Sequence, residues 1–255
     1  MIWVLYSIVG WLLIAIFTII ALIQSRVLIF FYKDQPAEQV FFQIAGTWSK
    51  RWGRLMGIDI HVHPDNPKIL EAGKSYVLTA NHLCFLDFLG FAYGLRIPFR
   101  ALSKVENRKI PIFGAMIAPA IVTVDRASSK DRMASMQRMR DLIARGMSVL
   151  VFPEGTRNKN FAQPLGKKFY DGAFRIAVEA QVPIAPLIIL GARKVMPDGT
   201  WQFRPGRMDV EVLPTISTLG KTKEDIPALR EHVYQIMAQA IYQRDNYFQN
   251  QHSEV

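Results

Sequence analysis

The stretch "SYVLTANHLCFLDFLGFAYGL", residues 75–95, holds a strand, a turn and a helix with no spacer between them. Its first six residues form a short apolar run of the kind that fills strands buried on both faces. The run passes directly into Asn81–His82–Leu83–Cys84, and then into "FLDFLGFAYGL", which has helical character. A buried strand followed at once by a helix is half of a βαβ unit. The runs "IVTV" (121–124), "SVLVF" (148–152) and "APLIIL" (185–190) repeat its first half. "MDVEVL" (208–213) alternates, as an edge or half-exposed strand does.

Helical patterns separate these runs. "SSKDRMASMQRMRDLIARG" opens on a cap candidate at Ser128 or Ser129 and closes at Gly146, with Met133, Met136, Met139 and Leu142/Ile143 as a core stripe. "DGAFRIAVEA" is a second helix. "DIPALREHVYQIMAQAIYQ" is a third, with Asp225 as cap and Pro227 in its first turn. Strands alternating with helices predict an α/β fold, a mixed and mostly parallel sheet flanked by helices.

The chain has 255 residues, room for one large domain and an appendage. Its net charge of +10 favours an anionic partner: nucleic acid, a membrane surface or a phosphorylated substrate. A single cysteine excludes an intramolecular disulfide and a Cys-rich metal cluster, and no HExxH motif occurs. His61 and His63 alternate as surface strand residues would.

The N-terminus narrows the choice of partner. Residues 1–25 carry no charged side chain, and Ile2 to Ile23 forms a helix of about 33 Å, matching the hydrocarbon core of a bilayer. Trp3, Tyr6 and Trp11 supply interfacial rings. The basic n-region and cleavage site of a secretory signal are missing. A long core helix is the alternative. After a second apolar run, Val27 to Tyr32, residues 37–57 read as an amphipathic helix, with Phe41, Ile44, Trp48 and Trp52 at helical spacing beside Lys50, Arg51 and Arg54. Such a helix either lies among lipid headgroups or packs on the domain that follows. Lys and Arg follow the anchor and none precedes it, which predicts a cytoplasmic domain. Whether the first helix spans the bilayer or forms a hairpin in one leaflet stays open. The chain thus divides into membrane-anchoring helices (1–56), an α/β domain (57–245) and a polar tail (246–255).

Three strand ends collect reactive side chains, where α/β folds keep their sites. In "NHLCFLD", His82 and Asp87 are five residues apart, about 140° around a regular helix. They meet only if His82 lies in the turn and Asp87 in the first turn of the helix. Asp87 would then hold one imidazole nitrogen and leave the other as a base. The alternative is a structural His between the turn and cap residues Asn81 and Asp87. In "SVLVFPEGTRN", Gly155 permits a sharp turn, and Glu154 and Arg157 project from it, either as a phosphate-binding fork or as a surface ion pair. In "IVTVDRASSKD", Asp125 and Arg126 follow a strand, and Lys104 follows another. Lys167 and Lys168 are further cations. No GxSxG elbow, Walker loop or GxGxxG is present, so Cys84 is the one candidate protein nucleophile.

Taken in order, "NHLCFLD", "VTVDR", "FPEGTRN" and "VPIAP" (182–186) resemble the four motif blocks of the 1-acylglycerol-3-phosphate acyltransferase family, over roughly residues 75–190. The resemblance implies the glycerolipid acyltransferase fold with N-terminal membrane helices. It also implies transfer of a fatty acyl group from acyl-CoA or acyl carrier protein to the sn-2 hydroxyl of lysophosphatidate, giving phosphatidate. His82 becomes the general base and Asp87 its orienter. Glu154, Gly155 and Arg157 hold the acceptor's phosphate and glycerol, with Arg126 helping and Asn81, Lys104 and Thr156 counted among the substrate-binding residues. Pro183 shapes the pocket. Membrane lipids are partners, and neither a metal, a cofactor nor nucleic acid is called for. The family often has Ser or Thr where this chain has Cys84, and a polar residue at Leu83, a departure that bears on acceptor preference. A different acceptor (glycerol-3-phosphate, a headgroup-bearing lysophospholipid or an amino-acid lipid) and a non-catalytic lipid-binding protein are the competing readings.

Overall fold

The computed structural model describes residues 2–31, 37–95, 97–109, 114, 117–160, 162–197 and 199–245. The polar tail expected from residue 246 onward lies outside the described residues. A seven-stranded sheet organises the rest, in the order β1-β7-β6-β2-β5-β3-β4. Its strands are β1 (Ile58–Val62), β2 (Val77–Ala80), β3 (Phe99–Lys104), β4 (Ile121–Val124), β5 (Ser148–Val151), β6 (Ile184–Leu190) and β7 (Gly206–Val212). Every neighbouring pair is parallel except β6 with β7. The mixed, mostly parallel sheet is the one the sequence predicts. Strand β7 keeps the expected alternation of burial but is not an edge, because β1 pairs along its far side.

Helices cover both faces. On one lie α1 (Ile2–Phe31), α2 (Ala37–Leu55) and α4 (Asp87–Gly94), over a core that includes Trp52, Phe91, Phe99 and Phe203. On the other lie α6 (Ser129–Ala144), α7 (Gly172–Ala180) and α9 (Ile226–Arg244), over Met139, Phe174 and Val233. Short helices α3 (Asn66–Ile69), α5 (Val105–Lys109) and α8 (Ala192–Val195) complete the set named here. The Ser128 hydroxyl accepts from the Asp131 N–H and caps α6 as expected. Of the expected core stripe, Met139 and Ile143 are buried and Met136 and Leu142 pack against the same core. Met133 is the exception and is corrected: Ser135, Met139 and Ile143, four residues apart, face the sheet, and Met133 is left 72% exposed. Asp225 does not cap α9 with its side chain. Its carboxylate accepts from the Thr222 N–H at 2.7 Å and closes the turn before the helix.

The N-terminal helices pack on the domain. Gly46 lets α2 approach α4 closely, since a Cβ there would stand 2.6 Å from the Ala92 carbonyl oxygen. Helix α1 then lies along α2. The Trp52 indole donates to the Gly10 carbonyl at 2.9 Å, and the Trp48 indole donates to Gln24 Oε1 at 2.8 Å. The Phe203 N–H donates to Ser7 Oγ, and the Trp11 indole to the Trp201 carbonyl. The face of α1 turned away from these contacts stays apolar and exposed through Leu5, Ile8, Leu12, Ile16, Ile19, Ile23 and Val27. The span Ile2–Leu28 is long and apolar enough to cross a membrane.

Candidate active site

The residues following β2 wrap around one carboxylate. Asp87 opens α4 and is fully buried. Its Oδ2 accepts from His82 Nδ1 at 2.8 Å, from the Leu83 N–H at 2.6 Å and from the Cys84 N–H at 3.0 Å. Two backbone donors on one oxygen curl the turn 82–86 back over the helix N-terminus, where the dipole also favours a negative charge. This local curl overcomes the 140° separation that a continuous helix would impose. With Nδ1–H given to the carboxylate, Nε2 is the imidazole lone pair left for the cavity that His82 lines. The ring stacks on Phe152 at 4.1 Å and is about a quarter exposed, 24%.

The loop after β5 fixes the backbone of the same turn. The His82 N–H donates to Glu154 Oε1 at 2.9 Å, and the Asn158 N–H donates to the His82 carbonyl at 3.1 Å. The other oxygen of Glu154 accepts from the Gly166 N–H at 2.6 Å. Burial pushes the Glu154 carboxyl above its usual range, opposed by those two N–H donors and by the charges of His82 and Arg193. Glu154 is buried, with each oxygen engaged by a backbone N–H. Gly155 has φ +71°, and a Cβ there would stand 2.9 Å from the Tyr170 ring. The tight turn carries Thr156, Arg157 and Lys159 to the cavity wall. The Arg126 guanidinium donates to the Gly155 carbonyl, and Lys104 at the end of β3 joins the same wall.

The cavity measures about 870 Å³. Its wall carries the cations Lys104, Arg126, Arg157 and Lys159 together with His82. Its apolar arm runs between α1, α2 and α4, past Trp11, Ile14, Phe17, Phe41, Trp48 and Phe88. Phe152, Asn107, Lys159 and this arm escape sequence reading. Phe152 alone carried a signal, as the last apolar residue before the "PEGTR" loop. The α1 and α2 side chains look, in sequence, like any apolar helix face.

Three expected substrate-binding residues, Glu154, Pro183 and Asn81, are not brought to the cavity wall. Pro183 precedes β6 at the opposite end of the sheet, where its carbonyl accepts from the Val77 N–H at 3.1 Å. The length of β2, roughly 13 Å at ~3.3 Å per residue, separates it from His82. Asn81 is buried, and its amide bridges the Ile189 backbone in both directions, at 2.9 and 2.8 Å. Lys167 and Lys168 stay exposed, with Lys168 Nζ 5.4 Å above the Tyr170 ring. Cys84 Sγ lies 3.7 Å from both Asp87 Oδ1 and the Ala192 carbonyl. Burial first, then the Asp87 charge, pushes its thiol well above the usual range. A thiol held protonated is a poor nucleophile.

Residues 60–190, just over half of the chain, match the Acyltransferase family model, and the chain belongs to that family. Its curated relatives include a 1-acyl-sn-glycerol-3-phosphate acyltransferase of Chlamydomonas reinhardtii, 38% identical over 54% of this chain and 41% of its own. Another is 1-acyl-sn-glycerol-3-phosphate acyltransferase alpha of Mus musculus, 35% identical over 63% of this chain and 56% of its own. An uncharacterized acyltransferase of Schizosaccharomyces pombe is 32% identical over 74% of this chain and 68% of its own. The chain thus spans about half the length of the first two. The crystal structure of the 1-acyl-sn-glycerophosphate (LPA) acyltransferase PlsC from Thermotoga maritima superposes with a TM-score of 0.74, at 20% identity, over 96% of this chain and 97% of that one. That likeness concerns the fold.

Proposed function

We propose that the protein is a membrane-bound 1-acylglycerol-3-phosphate O-acyltransferase. It moves a fatty acyl group from a thioester, acyl-CoA or acyl-carrier protein, to the sn-2 hydroxyl of lysophosphatidate. The observation that carries this reading is the His82–Asp87 pair set where a cationic wall meets an apolar arm in one cavity. A lysophosphatidate has that same pairing, one phosphate and one chain. The names of the curated relatives support the same acceptor.

His82 Nε2 takes the proton of the acceptor hydroxyl as the oxygen attacks the thioester carbonyl, and Asp87 stabilises the imidazolium. The tetrahedral adduct collapses, the C–S bond breaks, and the imidazolium returns the proton to the leaving thiolate. Arg157, with Arg126, Lys104 and Thr156, holds the acceptor phosphate, and the planar guanidinium fork suits its oxygens. Glu154 and Asn81 act as positioning residues, Glu154 through the backbone of His82 and Asn81 by tying β2 to β6. Residues 57–245 form the catalytic domain and residues 1–56 attach it to the membrane. The exposed apolar face of α1 enters the bilayer, with the domain on the cytoplasmic side.

The test is a panel of acceptors offered with each thioester donor. Lysophosphatidate should be acylated faster than glycerol-3-phosphate or lysophosphatidylcholine. A preference for a headgroup-bearing lysolipid would refute the acceptor assignment.

A further inference from the structure

A second cavity, about 440 Å³, opens between α2 and β1, away from the reaction centre. Strand β1 is the last of the sheet order, so its outer edge has no strand partner among the described residues. The groove runs along that edge beside Lys50 and Arg54 of α2 and Tyr93 of α4. Lys50 is held in place there, its Nζ 5.0 Å above the Tyr93 ring. His61 and His63 also line the groove. Their Nδ1 atoms face carboxylates, Asp209 at 2.9 Å and Asp65 at 3.8 Å, so the free positive charge belongs to Lys50 and Arg54. Asp59 is the lining carboxylate, within electrostatic reach of Arg207.

The surroundings indicate where a ligand would come from. Helix α2 packs Trp48 and Trp52 against α1, whose outer face is an exposed apolar stripe. Arg51, exposed between them, spreads over the Trp48 ring at 4.7 Å. Helix α2 thus stands between α1 with its outer apolar stripe and the groove, and carries the cations Arg51, Lys50 and Arg54. A phospholipid has the same order of tail, phosphate and headgroup.

We propose that this groove binds the phosphate of an anionic membrane phospholipid, at a site separate from the one that binds the acceptor. Lys50 and Arg54 bind its phosphate oxygens, and the groove takes the headgroup beyond. The proposal goes beyond the acyl-transfer reading and is read out by binding, so its failure would leave that reading untouched.

The experiment uses the full chain and phosphatidylcholine vesicles with or without phosphatidylglycerol, with binding measured by flotation. Phosphatidylglycerol should tighten binding of the wild type, and Lys50→Gln/Arg54→Gln should lose about tenfold of that gain. The same charge change on the far side of the sheet, Lys130→Gln/Arg145→Gln, should keep it. Binding to pure phosphatidylcholine should not change in either variant. Equal losses in both variants would show an unlocalised surface charge and overturn the site. No gain from phosphatidylglycerol would overturn it too. Detergent-solubilised protein titrated with inorganic phosphate separates the sources. Thermal stabilisation by phosphate, lost in the Lys50/Arg54 variant and without any gain on vesicles, would assign the groove to a soluble phosphate and refute the lipid.

Discussion

Replacing Glu154 by Gln keeps the shape of the side chain and changes what it offers to two backbone donors. The carboxylate accepts from the N–H groups of His82 and Gly166 at 2.9 and 2.6 Å. A carboxamide has one oxygen, so its NH₂ must face one of those donors. The loss is one charge-assisted bond plus a donor-to-donor clash, in a buried site without room to turn away. A hydrogen bond to a charged group is worth about 1.5–3 kcal/mol, so the combined cost to stability and turnover corresponds to a factor of about 10–150. Because the bond ends on the His82 backbone, the catalytic share falls on the position of the imidazole. Glu154→Gln should therefore lower kcat by about tenfold or more while acceptor KM moves by less than about threefold. Initial rates of phosphatidate formation over a lysophosphatidate titration, with a urea midpoint for the same protein, separate the two shares. A large rise in acceptor KM with kcat unchanged would refute this reasoning. It would return Glu154 to the substrate-contact role that the resemblance implied.

Three further outcomes follow from the geometry. Arg157→Ala should cut kcat/KM for lysophosphatidate by about 10–150-fold and affect the donor far less, with Lys restoring only part; equal weakening of both substrates would contradict phosphate binding. The Cys84 thiol, raised by burial, should resist iodoacetamide in the native protein at pH 8.5 at least about a hundredfold better than in urea. Since the unfolded thiol ionises near 8.5 and the folded one well above it, stability should fall as pH rises through that value, and Cys84→Ser should keep most activity and lose this part of the slope. Deleting residues 1–31 uncovers Trp52, Met56 and Phe203, and should destabilise the detergent-solubilised domain by about 5 kcal/mol; an unchanged urea midpoint would show that α1 does no more than anchor.

The sheet was legible because its strands carry the apolar runs that two covered faces require. Strand β1 was harder to see. "IDIHV" carries no long apolar run, and only the alternation of His61 and His63 marks it as a strand; its place beside β7 has no signal of its own. The His82–Asp87 pair was legible as a spacing, but the bond depended on two backbone N–H groups that no residue identity announces. Glu154 and Asn81 were legible as important residues and misleading as contacts. A polar residue in a motif can serve substrate or backbone equally well, and burial decides which. Pro183 stands next to a strand that reaches the site, but at its other end, a distinction that depends on strand direction. The apolar arm was out of reach because it is assembled from three helices distant in sequence.

The most direct test of the central claim is the rate of phosphatidate formation by His82→Ala, beside wild type, in the same detergent and with the same thioester donor and lysophosphatidate. If the imidazole that Asp87 holds at 2.8 Å is the base, as proposed, its loss should lower turnover by about 10²–10⁴-fold, with the urea midpoint within about 1 kcal/mol of wild type. Near-normal phosphatidate formation by a folded His82→Ala protein would contradict the account.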